Sequence, residues 1–186
     1  LEGATSLLLF PTKALAHDQL RRLRAMAQVL GVEGVFPYDG DTPSATRRQA
    51  RERGLVLLSN PDMLHYGLLP RHPDWAPFLA RLRYVVLDEL HAYRGVFGTH
   101  VALILRRLLR LARHYGASPQ VLAASATIAN AREHAEALTG LPFEELKAQV
   151  ARTERELLVL LPKPLDRRGE RRRSPLLEAA YLARRL

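Results

Sequence analysis

The sequence predicts an α/β protein in which helices cover both faces of a parallel β-sheet. Short apolar runs alternate with longer segments of helical periodicity, which is typical of parallel strands joined by crossover helices. The helical segments also carry clear apolar stripes. The chain has 186 residues, of which 47% are hydrophobic, so it can fill a core and is too apolar to be disordered.

The strand predictions depend on apolar runs that are too short for helices. Polar loop residues follow most of these runs and end the strand. Six such runs are predicted as strands, at residues 7–10, 35–38, 55–58, 84–87, 121–124 and 157–161.

The helix predictions depend on apolar spacing and on residues that start or stop a helix. Gly31 and Gly54 follow two helical patterns and stop them, while Asn60 supplies a cap before a proline at the first helical position. These signals predict helices over residues 13–30, 43–53 and 97–115, and a helix that starts at Pro61.

The composition excludes several classes of protein. Cysteine is absent, which excludes a disulfide framework, thiol catalysis and cysteine-liganded metal sites within the chain. No charge-free run approaches the length of a membrane span and no signal-peptide pattern opens the chain, so we expect a cytoplasmic protein without a membrane partner. The net charge of +9 favours a polyanionic partner, above all nucleic acid.

The chain changes character near Gly140, which predicts a domain boundary. We assign residues 1–145 to a first domain and residues 146–186 to a linker and the beginning of a second domain. The second part holds the apolar run 157–161, a loop rich in proline and arginine, and a helical stretch from Ser174. Since the chain opens on Leu1 and enters a strand almost at once, we expect it to be a piece of a longer protein.

The strongest local signal is YVVLDELH at residues 84–91. An apolar strand here delivers Asp88 and Glu89 at its carboxyl end, where open parallel sheets bind ligands. Asp88 can hold a hydrated Mg²⁺ that bridges nucleotide phosphates, and Glu89 can orient or deprotonate an attacking water. His91 lies where it can report the state of this site to a neighbouring loop.

Polar residues also follow three other predicted strands. Ser125 and Thr127 in SATI (residues 125–128) can hydrogen-bond the acidic motif and a metal-bound water. FPTKALAHDQ (residues 10–19) and LLSNPDMLH (57–65) each lead from a strand into a helix N-terminus, which binds phosphate through free N–H groups. YDGDT (residues 38–42) forms a further loop after a strand.

Taken in order, these motifs resemble the first RecA-like motor lobe of superfamily 2 helicases of the DEAD/DEAH-box type. YRGVFGTH (residues 93–100), just after DELH, narrows the resemblance to the MrfA/YprA type of DNA-repair helicase. The resemblance covers nearly the whole chain. It implies a RecA-like parallel sheet and ATP-driven movement on single-stranded DNA, with 3′-to-5′ polarity, coupled to duplex unwinding in DNA repair.

The resemblance also implies roles for individual residues. Asp88 and Glu89 would serve Mg²⁺ and the attacking water of ATP hydrolysis, with His91 in the same catalytic group. Ser125 and Thr127 would couple hydrolysis to movement. The expected nucleic-acid-binding residues are Thr12, Lys13, Asp39, Gly40, Ser59, Asn60 and Arg94.

Other parts of such a helicase are not found in this sequence. No lysine follows a glycine, so the phosphate-binding loop is expected upstream of Leu1 in an N-terminally truncated lobe. A second lobe with its arginine finger and a C-terminal zinc-binding domain would complete the polypeptide, which would act on single-stranded or forked DNA at the nucleoid. The chain alone is therefore expected to be inactive as an ATPase.

Two alternatives stay open at this point. The chain could be a non-catalytic nucleic-acid-binding module of RecA-like fold, although DNA binding alone does not require the Asp88–Glu89 pair. It could also be a metallohydrolase that uses Asp88, His91 and His100, although these ligands lack the helical spacing of a preformed metal site.

Overall fold

The computed structural model describes residues 3–126 and 128–146. Its five strands form one parallel sheet in the order β2-β3-β1-β4-β5. In chain order the strands and regular helices are β1 Thr5–Leu9, α1 Lys13–Val29, β2 Val35–Tyr38, α2 Ser44–Arg53, β3 Val56–Ser59, α3 Pro61–Met63, α4 Ala76–Ala80, β4 Leu82–Leu87, α5 Gly95–His114, β5 Gln120–Ala123 and α6 Ala131–Thr139. The predicted strand at residues 157–161 and the predicted helix from Ser174 lie outside the described residues. The predicted boundary after residue 145, and the second domain that follows it, stay predictions.

The two faces of the sheet carry different helices. Alternate residues of β1 point to opposite faces, as the pleat requires. Leu7 and Leu9 belong to the larger core cluster, together with buried residues of α5 and α6. Leu8 contacts the smaller cluster that α1 forms on the other face through Ala16 and Leu20. The prediction of helices on both faces of a parallel sheet is therefore confirmed.

The chain between β3 and β4 is helical but irregular. A helix does start at Pro61, where the Asn60 side chain accepts a hydrogen bond from the Met63 amide. It then passes through a π-helical segment, Leu64–Leu68, and a 3₁₀ segment, Leu69–Trp75. Prolines cannot donate the amide hydrogen bond of a continuing α-helix, and this stretch contains several of them. The segment nevertheless buries Trp75 in the larger core.

The outer strand β5 is poorly covered. Its register pairs Val86 of β4 with Leu122, and 44% of the Leu122 surface is exposed. Among the described residues, none forms a strand along the outer edge of β5. The helix α6, which follows β5, was not predicted from the sequence. In the described part of the chain, no helix is both long enough and apolar enough to span a bilayer.

Candidate functional site

The carboxyl end of β4 carries the acidic motif. The Asp88 amide donates to the Leu9 carbonyl of β1 (3.0 Å), which ties the motif to the neighbouring strand. One oxygen of the Asp88 carboxylate accepts a hydrogen bond from the Glu89 amide at 3.0 Å. Asp88 and Glu89 are both partly exposed, so their carboxylates can reach a ligand outside the sheet. We call residues 88–92 the acidic loop.

Glu89 has a left-handed backbone, with φ of 51° and ψ of 48°. It is the one non-glycine residue with positive φ among the described residues. Residues with a Cβ rarely adopt this conformation, which costs about 1–2 kcal/mol. Hydrogen bonds on the following residue hold it in place, since the Leu90 amide donates to the Ala124 carbonyl at 2.8 Å. The chain therefore turns at Glu89, between the end of β4 and the 3₁₀ turn Leu90–Ala92.

The acidic loop contacts the end of β5. His91 Nδ1 lies 3.2 Å from Glu89 Oε2 and 3.5 Å from Ser125 Oγ. The structure thus brings Asp88, Glu89, His91 and Ser125 together at one edge of the sheet. Thr127 lies outside the described residues, and its predicted role stays a prediction.

Tyr93, which directly follows the acidic loop, is hydrogen-bonded to β1. Its ring is fully buried and its hydroxyl donates to the Leu9 carbonyl at 3.3 Å. Burial raises the pKa of the Tyr93 hydroxyl, and the charges of Asp88 and Glu89 raise it further. The hydroxyl therefore stays protonated and remains a donor. The Leu9 carbonyl accepts from both the Asp88 amide and Tyr93.

A second group of predicted residues follows β1 and β2. Thr12 caps α1 by accepting a hydrogen bond from the Leu15 amide at 3.4 Å. Lys13 is half exposed, and its ammonium lies 3.0 Å from Asp41 Oδ2 in the loop after β2. Gly40 is exposed and lies beside Lys13, since a Cβ built on Gly40 would be 3.3 Å from Lys13 Nζ. Thr12, Lys13 and Gly40 are therefore accessible at the same sheet edge.

Asp39 is buried, unlike these neighbours. Its side chain is 3% exposed and lies 2.6 Å from His17 Nε2. Burial by itself raises the pKa of Asp39, but hydrogen bonds from His17, Thr42 and the Asp41 amide outweigh it and hold the pKa below its ordinary value of 3.8. Because the folded pKa is lowered, the stabilisation by this carboxylate is present above pH 3.8 and is lost as the pH falls through the folded pKa.

Ser59 and Asn60 are also largely buried at the end of β3. Ser59 is 1% exposed, and its hydroxyl donates to the Tyr38 carbonyl at 2.6 Å. The Asn60 side chain caps the following helix. The side chains of Asp39, Ser59 and Asn60 are thus used inside the protein. That these three positions contact nucleic acid stays a prediction.

Arg94 and His100 are exposed and lie at the start of α5. Arg94 precedes the helix and lines a groove of about 600 Å³ between α5 and α6. Neither residue has an ion pair among those of the described chain. Within the same residues, no group of three His, Asp or Glu side chains is arranged to hold a metal ion. The metallohydrolase alternative, with Asp88, His91 and His100 as ligands, therefore finds no support in the geometry.

Sequence reasoning missed His17, Asp41 and Tyr93 as members of these sites. A signal for His17 was available, because it follows Lys13 by four residues and so lies on the same face of α1. The pairing of His17 with Asp39 joins residues 22 positions apart, and no local pattern encodes it.

Several known proteins are similar to this chain in sequence. A sequence profile described as DEAD/DEAH box helicase matches residues 1–136. The "Uncharacterized ATP-dependent helicase YprA" of Bacillus subtilis (strain 168) is 45% identical over 165 residues, which are 88% of this chain and 22% of the relative. The "ATP-dependent helicase HRQ1" of Saccharomyces cerevisiae (strain ATCC 204508 / S288c) is 41% identical over 143 residues, which are 74% of this chain and 13% of the relative.

Solved structures match in the same way. The crystal structure of the DUF1998 helicase MrfA bound to DNA and AMPPNP superposes with a TM-score of 0.85 at 43% identity, covering 99% of this chain and 26% of that one. The DEAD-box helicase Mss116 shares the fold, with a TM-score of 0.59 at 16% identity. The chain spans about a quarter or less of YprA, HRQ1 and MrfA. The RecA-like fold class and the resemblance drawn from the motifs are confirmed, and this chain belongs to the DEAD/DEAH box helicase family.

Proposed function

We propose that this chain forms the first motor lobe of an ATP-dependent DNA helicase, which couples ATP hydrolysis to movement on single-stranded DNA and to duplex unwinding. One observation carries the proposal: the acidic loop is hydrogen-bonded to strand ends on both sides. The Asp88 amide bonds to the end of β1, and the Leu90 amide bonds to the chain after β5. A movement of the acidic loop would therefore displace the loops that follow β1 and β5.

The acidic loop supplies the chemistry of hydrolysis. Water attacks the γ-phosphorus of ATP, the bond from that phosphorus to the bridging oxygen breaks, and ADP and phosphate leave. Glu89 would orient the water and take its proton. Asp88 fits a hydrated Mg²⁺ because it is partly exposed and its amide-bonded oxygen leaves the other oxygen for a ligand. Mg²⁺, when bound, would neutralise charge on the phosphates.

Nucleic acid would bind at the ends of β1 and β2. Lys13 offers an accessible cation, and the first turn of α1 offers free amide groups. The name of the MrfA structure states that it holds DNA and AMPPNP, and we extend that ligand pair to this chain. The predicted contact of Arg94 belongs to the same proposal.

The remaining parts of the motor follow from the family resemblance. An upstream phosphate-binding loop, a second lobe with an arginine finger, and a zinc-binding C-terminal domain would belong to the same polypeptide. Single-stranded or forked DNA would be the substrate and DNA repair the process, with the protein in the cytoplasm at the nucleoid.

The experiment is the substitution Glu89→Gln in the full-length protein. It removes the base and keeps the shape, so we expect DNA-stimulated ATP turnover to fall at least about 100-fold while nucleotide affinity changes little. Glu52→Gln, on the exposed surface of α2, is the matched control and should turn over ATP like the wild type.

Near-wild-type turnover by Glu89→Gln would contradict the assignment of the base. If the wild-type protein binds DNA but shows no ATP turnover at all, the chain is instead the non-catalytic nucleic-acid-binding module.

A further inference from the structure

The loop after β2, residues 39–42, is attached to α1 at two points. His17 Nε2 lies 2.6 Å from Asp39 Oδ2, and Lys13 Nζ lies 3.0 Å from Asp41 Oδ2. His17 and Lys13 are one helical turn apart, on the same face of α1. The two contacts differ in burial, because the Lys13–Asp41 pair is largely exposed whereas the Asp39 side chain is only 3% exposed.

Asp39 has no carboxylate oxygen left for a ligand. Its Oδ1 accepts hydrogen bonds from Thr42 Oγ1 and from the Asp41 amide, both at 2.9 Å, and its Oδ2 faces His17. A buried carboxylate that is satisfied in this way is stable where it lies. Asp39 is therefore unsuited to direct contact with DNA and well suited to hold its own loop.

The other side of the loop is held by α2. Arg47 Nη2 donates to the carbonyls of Asp39 and Gly40, both at 2.9 Å. The loop is thus fixed between two helices, and Gly40 stays exposed next to the Lys13 ammonium. Loss of the attachment to α1 would leave Gly40 free to move away from Lys13.

We propose that His17 and Asp39 are positioning residues that fasten the 39–42 loop to α1 and so hold the Gly40 backbone and the Lys13 ammonium together as one phosphate-binding surface. This inference rests on the proposed function, and it names residues that act through Lys13 and Gly40 without touching DNA. Preorganised groups bind more tightly because less ordering has to occur on binding.

The test measures the affinity of the full-length protein for a labelled single-stranded oligothymidylate over a series of salt concentrations. We expect His17→Ala to weaken binding about tenfold at every salt concentration, because the loop loses a hydrogen bond to the Asp39 carboxylate. The slope of log affinity against log salt should stay unchanged, because no contact with a phosphate is removed. Lys13→Ala should instead reduce that slope by about 0.7, which is the value for one phosphate contact on a single strand.

Two further variants complete the design. His17→Gln keeps an amide donor toward Asp39 and should recover part of the affinity, which a general loss of folding would not allow. His114→Ala, an exposed histidine in the last turn of α5, is the matched control and should bind like the wild type.

The outcomes distinguish a failure of the positioning role from a failure of the proposed function. If His17→Ala lowers the salt slope as Lys13→Ala does, or leaves the affinity unchanged, the positioning role is overturned while the proposed function stands. If the wild-type protein binds no DNA, the proposed function fails and the positioning role fails with it.

Discussion

Gly98 in the first turn of α5 is the position where we expect a small substitution to disturb the acidic loop most. A Cβ added at Gly98 would lie 2.8 Å from the carbonyl carbon of Tyr93 and closer still to its oxygen, whereas ordinary contacts begin at 3.4 Å. Both partners are backbone, so either α5 or Tyr93, which directly follows the acidic loop, has to move. This movement strains two hydrogen bonds. One runs from the Gly98 amide to the Arg94 carbonyl (3.0 Å), and the other runs from the Tyr93 hydroxyl to the Leu9 carbonyl.

The magnitude of the effect of Gly98→Ala follows from two opposing terms. Overpacking costs about 1–3 kcal/mol, and the upper part of that range, about 2–3 kcal/mol, applies here because the Tyr93 backbone cannot rotate away. The better helix propensity of alanine returns about 1 kcal/mol. We therefore expect a net loss of about 1–2 kcal/mol in the free energy of unfolding, which lowers the melting temperature by about 2–8 °C for a domain of this size.

The assay is thermal unfolding of the 186-residue chain, followed by circular dichroism. Thr99→Ala, at the next and exposed position of α5, is the control and should shift the melting temperature little, because the Thr99 hydroxyl bonds to the Gly95 carbonyl one turn earlier in the same helix. A Gly98→Ala chain that melts at or above the wild-type temperature would refute the argument that this close approach fixes the acidic loop.

Two further predictions concern coupling and the chain by itself. In the full-length protein, Ser125→Ala combined with Thr127→Ala should leave more ATP hydrolysis than duplex unwinding, and an equal loss of both rates would count against a coupling role. The 186-residue chain alone should release no phosphate from ATP above background, yet it should bind single-stranded DNA weakly, without base preference and less as salt rises. DNA-stimulated phosphate release by this chain would contradict that expectation.

The parts of the fold that the sequence predicts well have strong local signals. The strand at residues 35–38 agrees with β2 at both ends, because an apolar run is bounded there by Gly34 and Asp39. The start of α1 at Lys13 agrees as well, since Thr12 caps it. Strand order has no local signal, and α6 is short with Leu138 as its one large apolar residue, so the sequence predicts neither. The segment between β3 and β4 departs from a simple helix because several prolines lack the amide hydrogen that a continuing α-helix needs for its backbone hydrogen bonds.

The site divides in the same way. The sequence places Asp88 and Ser125 at the ends of parallel strands, and such ends share one edge of a sheet, so the contact between the acidic loop and Ser125 could be expected. The burial of Asp39 could not be expected, because this residue is polar and follows a strand as ordinary loop residues do. Nor could the left-handed backbone of Glu89, which is imposed by the Leu90–Ala124 hydrogen bond and opposes the preference of the residue itself.

Among the described residues no strand pairs with the outer edge of β5, and this affects how the chain behaves at high concentration. A strand edge without a neighbour offers a row of free amide and carbonyl groups, and exposed apolar side chains such as Leu122 make that row adhesive toward other copies. Sedimentation and light scattering of the 186-residue chain should therefore depend on concentration, with reversible self-association preceding precipitation. Binding and melting experiments on this chain consequently belong in the dilute range, where the single molecule is the species observed.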